Sequence, residues 1–354
     1  MIEFSDVGKS YPDGTVALQS LSLTAKAGEI TVLVGPSGCG KTTTLRMVNR
    51  MVDPTAGKVL LDGVDVSGQD PPTLRRGIGY VIQNAGLFPH RTVLDNIATV
   101  PMLRGTGKAE ARRHAGELLE RVGLDTRMAN RYPAQLSGGQ QQRVGVARAL
   151  AGDAPVLLMD EPFSAVDPVV RADLQDELLR LQSELGRTIL FVTHDIDEAI
   201  RLGDMVAVLR VGGTLAQFAH PSELLAAPAD DFVAGFVGRD RGYRRLQFVG
   251  AGELQLKDFP SKGDGWLLVV DDDNRPTAWR QGDEHVALGA VHHEGESLRS
   301  ALDAALSSPS GRGVAVDDDG RLLGGIEPEA VITLLHSTDS SPGAPLAEGE
   351  GALR

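Results

Sequence analysis

The chain has one cysteine, Cys39, in 354 residues. A single thiol excludes an internal disulfide framework and fits a reducing compartment. Aromatic residues are scarce at 4%. No apolar run reaches the roughly 18 residues a helical span requires, so a membrane role is expected only through a partner. The first residues, Met1-Ile2-Glu3-Phe4-Ser5-Asp6, lack a basic segment followed by an apolar stretch, so no signal peptide is expected. Positive charge is also short. The net charge is −13, which excludes a nucleic-acid binder that relies on a general basic surface.

What is present is ordinary globular composition, 42% hydrophobic and 23% charged, with 42 glycines that suit close backbone approach. Residues 240–354 carry 11 Lys+Arg against 20 Asp+Glu, while 1–239 carry 24 against 28. This shift near Gly238-Arg239-Asp240 predicts a domain boundary, with a first domain over 1–238 and an accessory one over 239–336. A Ser-, Gly-, Pro- and Ala-rich tail over 337–354 is expected to be disordered.

The first two thirds alternate short apolar runs with longer amphipathic stretches, the pattern of an α/β domain with a mostly parallel sheet. Ile30-Thr31-Val32-Leu33-Val34, Val156-Leu157-Leu158-Met159 and Ile189-Leu190-Phe191-Val192 read as buried strands. Each ends at a polar group or glycine: Gly35, Asp160 and Thr193-His194. Ligands in open α/β sheets sit beyond the carboxyl ends of strands, so these groups are candidates for one site. A helical insertion is expected over about 84–150, clearest from Ala109 to Val122. In the last third, Val269-Val270-Asp271-Asp272-Asp273-Asn274-Arg275 is repeated 46 residues later as Ala315-Val316-Asp317-Asp318-Asp319-Gly320-Arg321. Each copy predicts strand, tight turn, strand. Leu298, Leu302 and Leu306 predict a helix before the second copy, and no matching helix precedes the first.

Gly35-Pro36-Ser37-Gly38-Cys39-Gly40-Lys41-Thr42 fits the phosphate-loop pattern between a predicted strand and a predicted helix beginning near Thr43. Its glycines let backbone N–H groups wrap phosphates, and the helix N-terminus favours anions. Lys41 is expected at the β- and γ-phosphates and the Thr42 hydroxyl on Mg²⁺. Cys39 reads as a small residue that fits. Asp160 and Glu161 end an apolar strand; Asp160 suits a Mg²⁺ contact and Glu161 suits polarising an attacking water.

Leu136-Ser137-Gly138-Gly139-Gln140, 23 residues before Asp160 when counted from Ser137, resembles the signature motif of ABC-type ATPases. Other segments fit the same family in order. Gln83 resembles the glutamine-loop residue, which would add a metal contact. Ser164-Ala165-Val166-Asp167 resembles the inter-site loop, with Ser164 and Val166 departing from the usual Gly and Leu. His194 resembles the switch histidine, and Tyr11 the aromatic that stacks on adenine. The resemblance, over about residues 1–238, implies a P-loop ABC-type ATPase domain with a helical subdomain. It implies ATP and Mg²⁺ as ligands, with Ser137, Gly138, Gly139 and Gln140 closing on ATP held by a second copy in a two-fold dimer.

Fused membrane helices, a second ATPase domain and a long coiled-coil insertion are absent, which disfavours exporter, translation-factor and DNA-repair relatives. Tyr80 to His90, Met47-Val48-Asn49-Arg50, Gln69-Asp70-Pro71, Leu74-Arg75-Arg76 and His194 to Ala199 look like ATPases that import glycine betaine, carnitine, choline and proline. The 46-residue repeat is similar to the CBS pair such importers often carry, in degraded form, in a smaller α+β domain. The resemblance implies membrane permease subunits and, indirectly, a substrate-binding protein as partners. The implied place is the cytoplasmic face of the plasma membrane, with no nucleic acid involved. The alternatives are an import ATPase for a sugar, polyamine or amino acid, and a soluble ABC ATPase outside transport. Regulation by ionic strength is the expected role of the acidic last third.

Overall fold

The computed structural model describes residues 1–83, 85–164, 166–260 and 265–339. The chain divides into two compact units, Met1–Gly238 and Arg239 onward.

The first unit is built on β1 (Ile2–Ser10), β2 (Val16–Ala25), β3 (Ile30–Val34), β4 (Ala56–Leu61), β5 (Val64–Asp65), β6 (Ile78–Val81), β7 (Val156–Asp160), β8 (Thr188–Thr193), β9 (Met205–Arg210) and β10 (Thr214–Ala219). They form one mixed sheet in the order β5-β4-β1-β2-β10-β9-β3-β8-β7-β6. Its centre is parallel: β3 pairs with β8 and β9, and β7 with β8 and β6. As the apolar runs predict, β3, β7 and β8 are buried along their whole length, because helices cover both faces of a parallel sheet. Alternation then sorts the side chains. Ile30, Val32, Val34, Leu157, Met159, Ile189 and Phe191 enter one core, while Leu33, Val156, Leu158, Leu190 and Val192 enter the other.

Helix α1 (Lys41–Val48) follows β3. The chain between β6 and β7 is largely helical, with Val93–Ile97, Thr99–Leu103, α2 (Lys108–Arg121) and α3 (Gly138–Ala151) packed on one another. Ala111, Ala115, Leu118 and Leu119 make the buried stripe of α2 at helical spacing. Helices α4 (Pro168–Leu185) and α5 (Ile196–Leu202) flank β8. Asn84 and Ala165, both in segments singled out from the sequence, lie outside the described residues.

In the second unit, β11 (Leu267–Val270), β12 (Pro276–Gln281) and β13 (Glu284–Ala287) form an antiparallel sheet. β14 (Val291–His293), β15 (Gly313–Val316) and β16 (Leu322–Ile326) form another, with β14 parallel to β15. The repeat is geometric as well as sequential. Val270 pairs with Pro276 after a bulge, and 46 residues later Val316 pairs with Leu322 after a bulge. In both turns the first Asp side chain, Asp271 or Asp317, accepts from the N–H groups two and four residues on, at 2.7–3.0 Å. The two copies meet: Arg275 donates from Nε to the Asp319 carbonyl at 3.0 Å, and the Leu322 N–H donates to the Asn274 carbonyl at 2.8 Å.

Two expectations need correcting here. Helix α6 (Leu298–Leu306) buries Leu298, Ala301, Ala304 and Ala305, but Leu306 is 68% exposed. A spacing of four overshoots the helical turn, so over two steps the side chain rotates about 80° off the buried face. Helix α7 runs Pro328–Asp339, so 337–339 continue a helix rather than open a tail; residues 340–354 lie outside the described residues. Among the described residues no helix stands immediately before β11.

Each unit has its own cores. Phe4, Leu33, Leu158 and Phe191 serve the first, and Trp279, packed edge-on against Phe259 at 5.5 Å, serves the second. Truncation after Gly238 is therefore expected to leave a soluble protein that melts in one cooperative transition. Calorimetry of the shortened chain checks this, and an aggregated or molten product would make the second unit part of the first unit's fold.

Candidate functional site

Gly35 begins where β3 ends, and the loop from Gly35 to Gly40 turns back into α1. Gly38 and Gly40 have φ of 80° and 90°, in the left-handed region that favours glycine. A Cβ on Gly40 would stand 2.4 Å from the Ala17 carbonyl oxygen, so only glycine lets the loop lie against β2. Cys39 is fully buried under the loop, as a small residue that fits. Lys41 is buried except for its reach into the loop, where Nζ donates to the carbonyls of Gly35 at 2.7 Å and Pro36 at 3.2 Å.

A hollow of about 400 Å³ lies over this loop. Tyr11, Thr15, Ser37 to Thr43 and Glu161 line it. Tyr11 stands at its rim with Lys9 Nζ 5.1 Å from the ring centroid, a cation–π contact that the sequence did not signal. The loop with its N–H groups, Lys41 and an aromatic at one end is a cradle for a nucleoside polyphosphate.

The strand ends converge beside it. The Thr42 hydroxyl donates to Asp160 Oδ1 at 2.9 Å. Burial pushes the Asp160 carboxyl above the usual carboxylate range, and the Thr42 hydrogen bond partly counters this. Hydroxyl and buried carboxylate are hard oxygen donors, a set that fits Mg²⁺. Glu161 follows at φ 44°, and its N–H donates to the Val192 carbonyl of β8 at 2.9 Å. Glu161 Oε2 has two polar neighbours: the ring Nδ1 of His194 at 3.0 Å and the amide nitrogen of Gln83 at 3.4 Å. Gln83 also donates to Ser164 Oγ at 3.3 Å, and Ser164 donates to the Glu161 carbonyl at 3.0 Å. Gln83, Asp160, Glu161 and His194 thus come from three different strand ends to one place. Ser164, noted in the sequence only as a departure, holds the cluster together.

Ser137 to Gln140 do not line that hollow. They open α3, where Ser137 Oγ accepts from the Gln140 N–H at 3.3 Å and Gln140 Oε1 accepts from the Ser137 N–H at 3.0 Å. A Cβ on Gly139 would stand 2.9 Å from Val170 Cγ1 and 3.7 Å from Val166 Cγ1, so the start of α3 lies against the start of α4. Asp167 is exposed just before α4, and the Arg171 N–H donates to its carbonyl at 2.8 Å. Within one chain the cradle and the signature segment are separate.

A model of the ABC transporter family matches residues 18–164. The osmoprotectant import ATP-binding protein OsmV of Salmonella typhimurium is 41% identical over 353 residues, 91% of each chain. The carnitine transport ATP-binding protein OpuCA of Listeria monocytogenes is 48% identical over 241 residues, 68% of this chain and 60% of that one. Among solved structures, the dimeric post-hydrolysis state of the ATP-binding cassette MJ0796, bound to ADP and Pi, is 35% identical. It has a TM-score of 0.58 and covers 62% of this chain and 99% of that one.

Gly40→Ala is expected to weaken binding of a fluorescent nucleoside triphosphate at least about tenfold. The new methyl group meets the Ala17 carbonyl at a backbone angle that costs ~1–3 kcal/mol. Equilibrium titration measures it, and unchanged affinity would show that the loop geometry does not set binding.

Proposed function

Because this chain belongs to the family of ABC transporter ATP-binding subunits that serve osmoprotectant import, we propose that it hydrolyses Mg²⁺-ATP between two copies of itself. On this reading hydrolysis powers the uptake of a quaternary-amine solute such as glycine betaine, choline or carnitine. The observation that carries the hydrolytic part is the placement of Glu161, with Gln83 and His194 on its carboxylate, at the rim of the phosphate cradle. The solute is carried by the relatives, which are named for osmoprotectant and carnitine import.

The mechanism follows from what each group can do. Loop N–H groups and Lys41 hold the phosphates, and Tyr11 faces the base. Thr42 and Asp160 would hold Mg²⁺, with Gln83 near enough to the cluster to join them; the ion would neutralise charge on the β- and γ-phosphates. Glu161 accepts a hydrogen bond from the attacking water and aims it, and His194 steadies its carboxylate. The site is incomplete in one chain, because the residues that open α3 do not line the cradle. A second copy related by a two-fold axis brings its Ser137 and Gly138 to the γ-phosphate, as a helix N-terminus suits an anion. Asp167 lies on the loop that would run between the two sites.

An open hollow of about 570 Å³, mostly apolar, lies between the sheet and the helical layer. Tyr80, Phe88, Val100, Leu103 and Arg148 are among its lining. Phe88 and Leu103 are 40% and 65% exposed. This is the place for a permease subunit at the cytoplasmic membrane face, and closing and opening of the ATP dimer would move it.

Glu161→Gln is expected to keep ATP binding and to lower hydrolysis ~10²–10⁴-fold. It should also trap an ATP-bound dimer and abolish uptake of labelled glycine betaine in cells. Phosphate release, gel filtration with ATP and uptake counts measure the three effects, and near-normal turnover would remove Glu161 from the reaction. The dimer itself is tested by pairing. A mixed dimer of one Ser137→Arg copy and one Lys41→Ala copy retains a single intact composite site. It should hydrolyse ATP, whereas chains carrying both changes should not. A strict monomer with full wild-type activity would overturn the sandwich.

A further inference from the structure

Gln83 stands on a bend that has no regular structure of its own. Ala85 and Gly86 follow it with φ of 55° and 53°, two successive residues in the left-handed region. For Ala85 that conformation costs ~1–2 kcal/mol. Gly86 lies close against Ile82, where a Cβ would stand 2.1 Å from Ile82 Cδ1. Something must hold the bend, and the neighbouring helix α3 does so.

Ala85 is 2% exposed and lies against Gly145 of α3, at ordinary contact distance from where a Cβ on Gly145 would be. One turn further along, the Arg148 guanidinium donates from one terminal nitrogen to the Ala85 carbonyl and from the other to the Gly86 carbonyl, both at 2.7 Å. This is a two-pronged clasp on successive peptide units, which a planar fork makes and an ammonium cannot. Its terminal nitrogens meet these carbonyls and, among the described residues, no carboxylate, and burial lowers the Arg148 pKa from its ordinary value. The charge is spent on holding the bend.

The same helix begins at Ser137. Eleven residues of α-helix separate Ser137 from Arg148, a rigid rod of about 16 Å. One end of that rod carries the signature segment and the other grips the residues just after Gln83.

We propose that Arg148 is a positioning residue for hydrolysis: its clasp on Ala85 and Gly86 fixes Gln83 against Glu161 and makes Gln83 travel with the helix that starts at Ser137. The inference rests on the hydrolytic roles given to Gln83 and Glu161 above. It adds that displacement of the helical layer, by a subunit in the hollow that Arg148 also lines or by closure on a second copy, reaches the reacting carboxylate through this one side chain.

The test is a double-mutant cycle on the full chain. Arg148→Lys keeps a positive charge and loses the fork. It is expected to lower kcat for ATP about tenfold while leaving KM within about twofold and the thermal midpoint nearly unchanged. In a Gln83→Ala background the same substitution is expected to cost less than about twofold, because the group it positions is gone. An unchanged kcat in Arg148→Lys would overturn the proposal, and so would an equal loss with Gln83 already removed. Should the lysine variant not fold, Arg148→Gln enters the cycle with the same expected outcomes. The wild-type chain supplies a second measurement: in hydrogen exchange, the amides of 85–88 should open together with those of α3. Opening of the bend while α3 stays protected would overturn the clasp. A wild-type protein without ATPase activity would instead refute the hydrolytic reading, and the exchange measurement would still judge the clasp.

Discussion

The site depends on the register of three parallel strands. Val34 stands opposite Thr193, and Val192 opposite Asp160, so β3, β8 and β7 finish within a residue of one another. Gly35, Glu161 and His194 therefore leave the sheet at one edge, although Gly35 lies more than a hundred residues of chain before the other two. Burial on both faces fixes this register. A slip of one residue in β8 would send Ile189 and Phe191 into the wrong core and carry His194 away from Glu161. The chemistry is held by packing that is almost wholly apolar along these strands.

That packing is why so much was legible in the sequence. Three continuous apolar runs could only be central strands, and each ended at a residue that suits phosphate or metal. The phosphate loop announced itself through glycines whose backbone angles the structure shows to be necessary. Other features left no such trace. The Lys9 contact over Tyr11 joins residues two apart on a strand end and has no pattern. Ser164 looked like a departure, yet its hydroxyl ties Gln83 to the Glu161 carbonyl. Arg148 looked like any arginine near a helix C-terminus, because its partners are carbonyl groups, which sequence does not distinguish. Leu306 shows the converse, an apparent stripe that drifts off the buried face near the end of a helix.

The second unit shows what an acidic repeat is for. Asp271 and Asp317 are spent on their own turns, where each carboxylate accepts two backbone N–H groups. The turns then fasten the two copies to each other through Arg275, Asn274 and Leu322. Two of the six aspartates are thus backbone chemistry. Asp272, Asp273, Asp318 and Asp319 are exposed, where salt screens them most readily.

Glu161 is one of few non-glycine residues with positive φ, and it lies where a buried strand stops. Held elsewhere in the chain, a glutamate would not choose that geometry; here it turns the carboxylate out of the sheet edge toward the cradle. The conformation costs ~1–3 kcal/mol of folding free energy. Glycine at this position would recover part of it and leave the strand pairing intact. Loss of this one side chain would therefore ease folding while removing the carboxylate from the cradle. Folding stability and the aim of this carboxylate are thus set against each other at a single backbone angle.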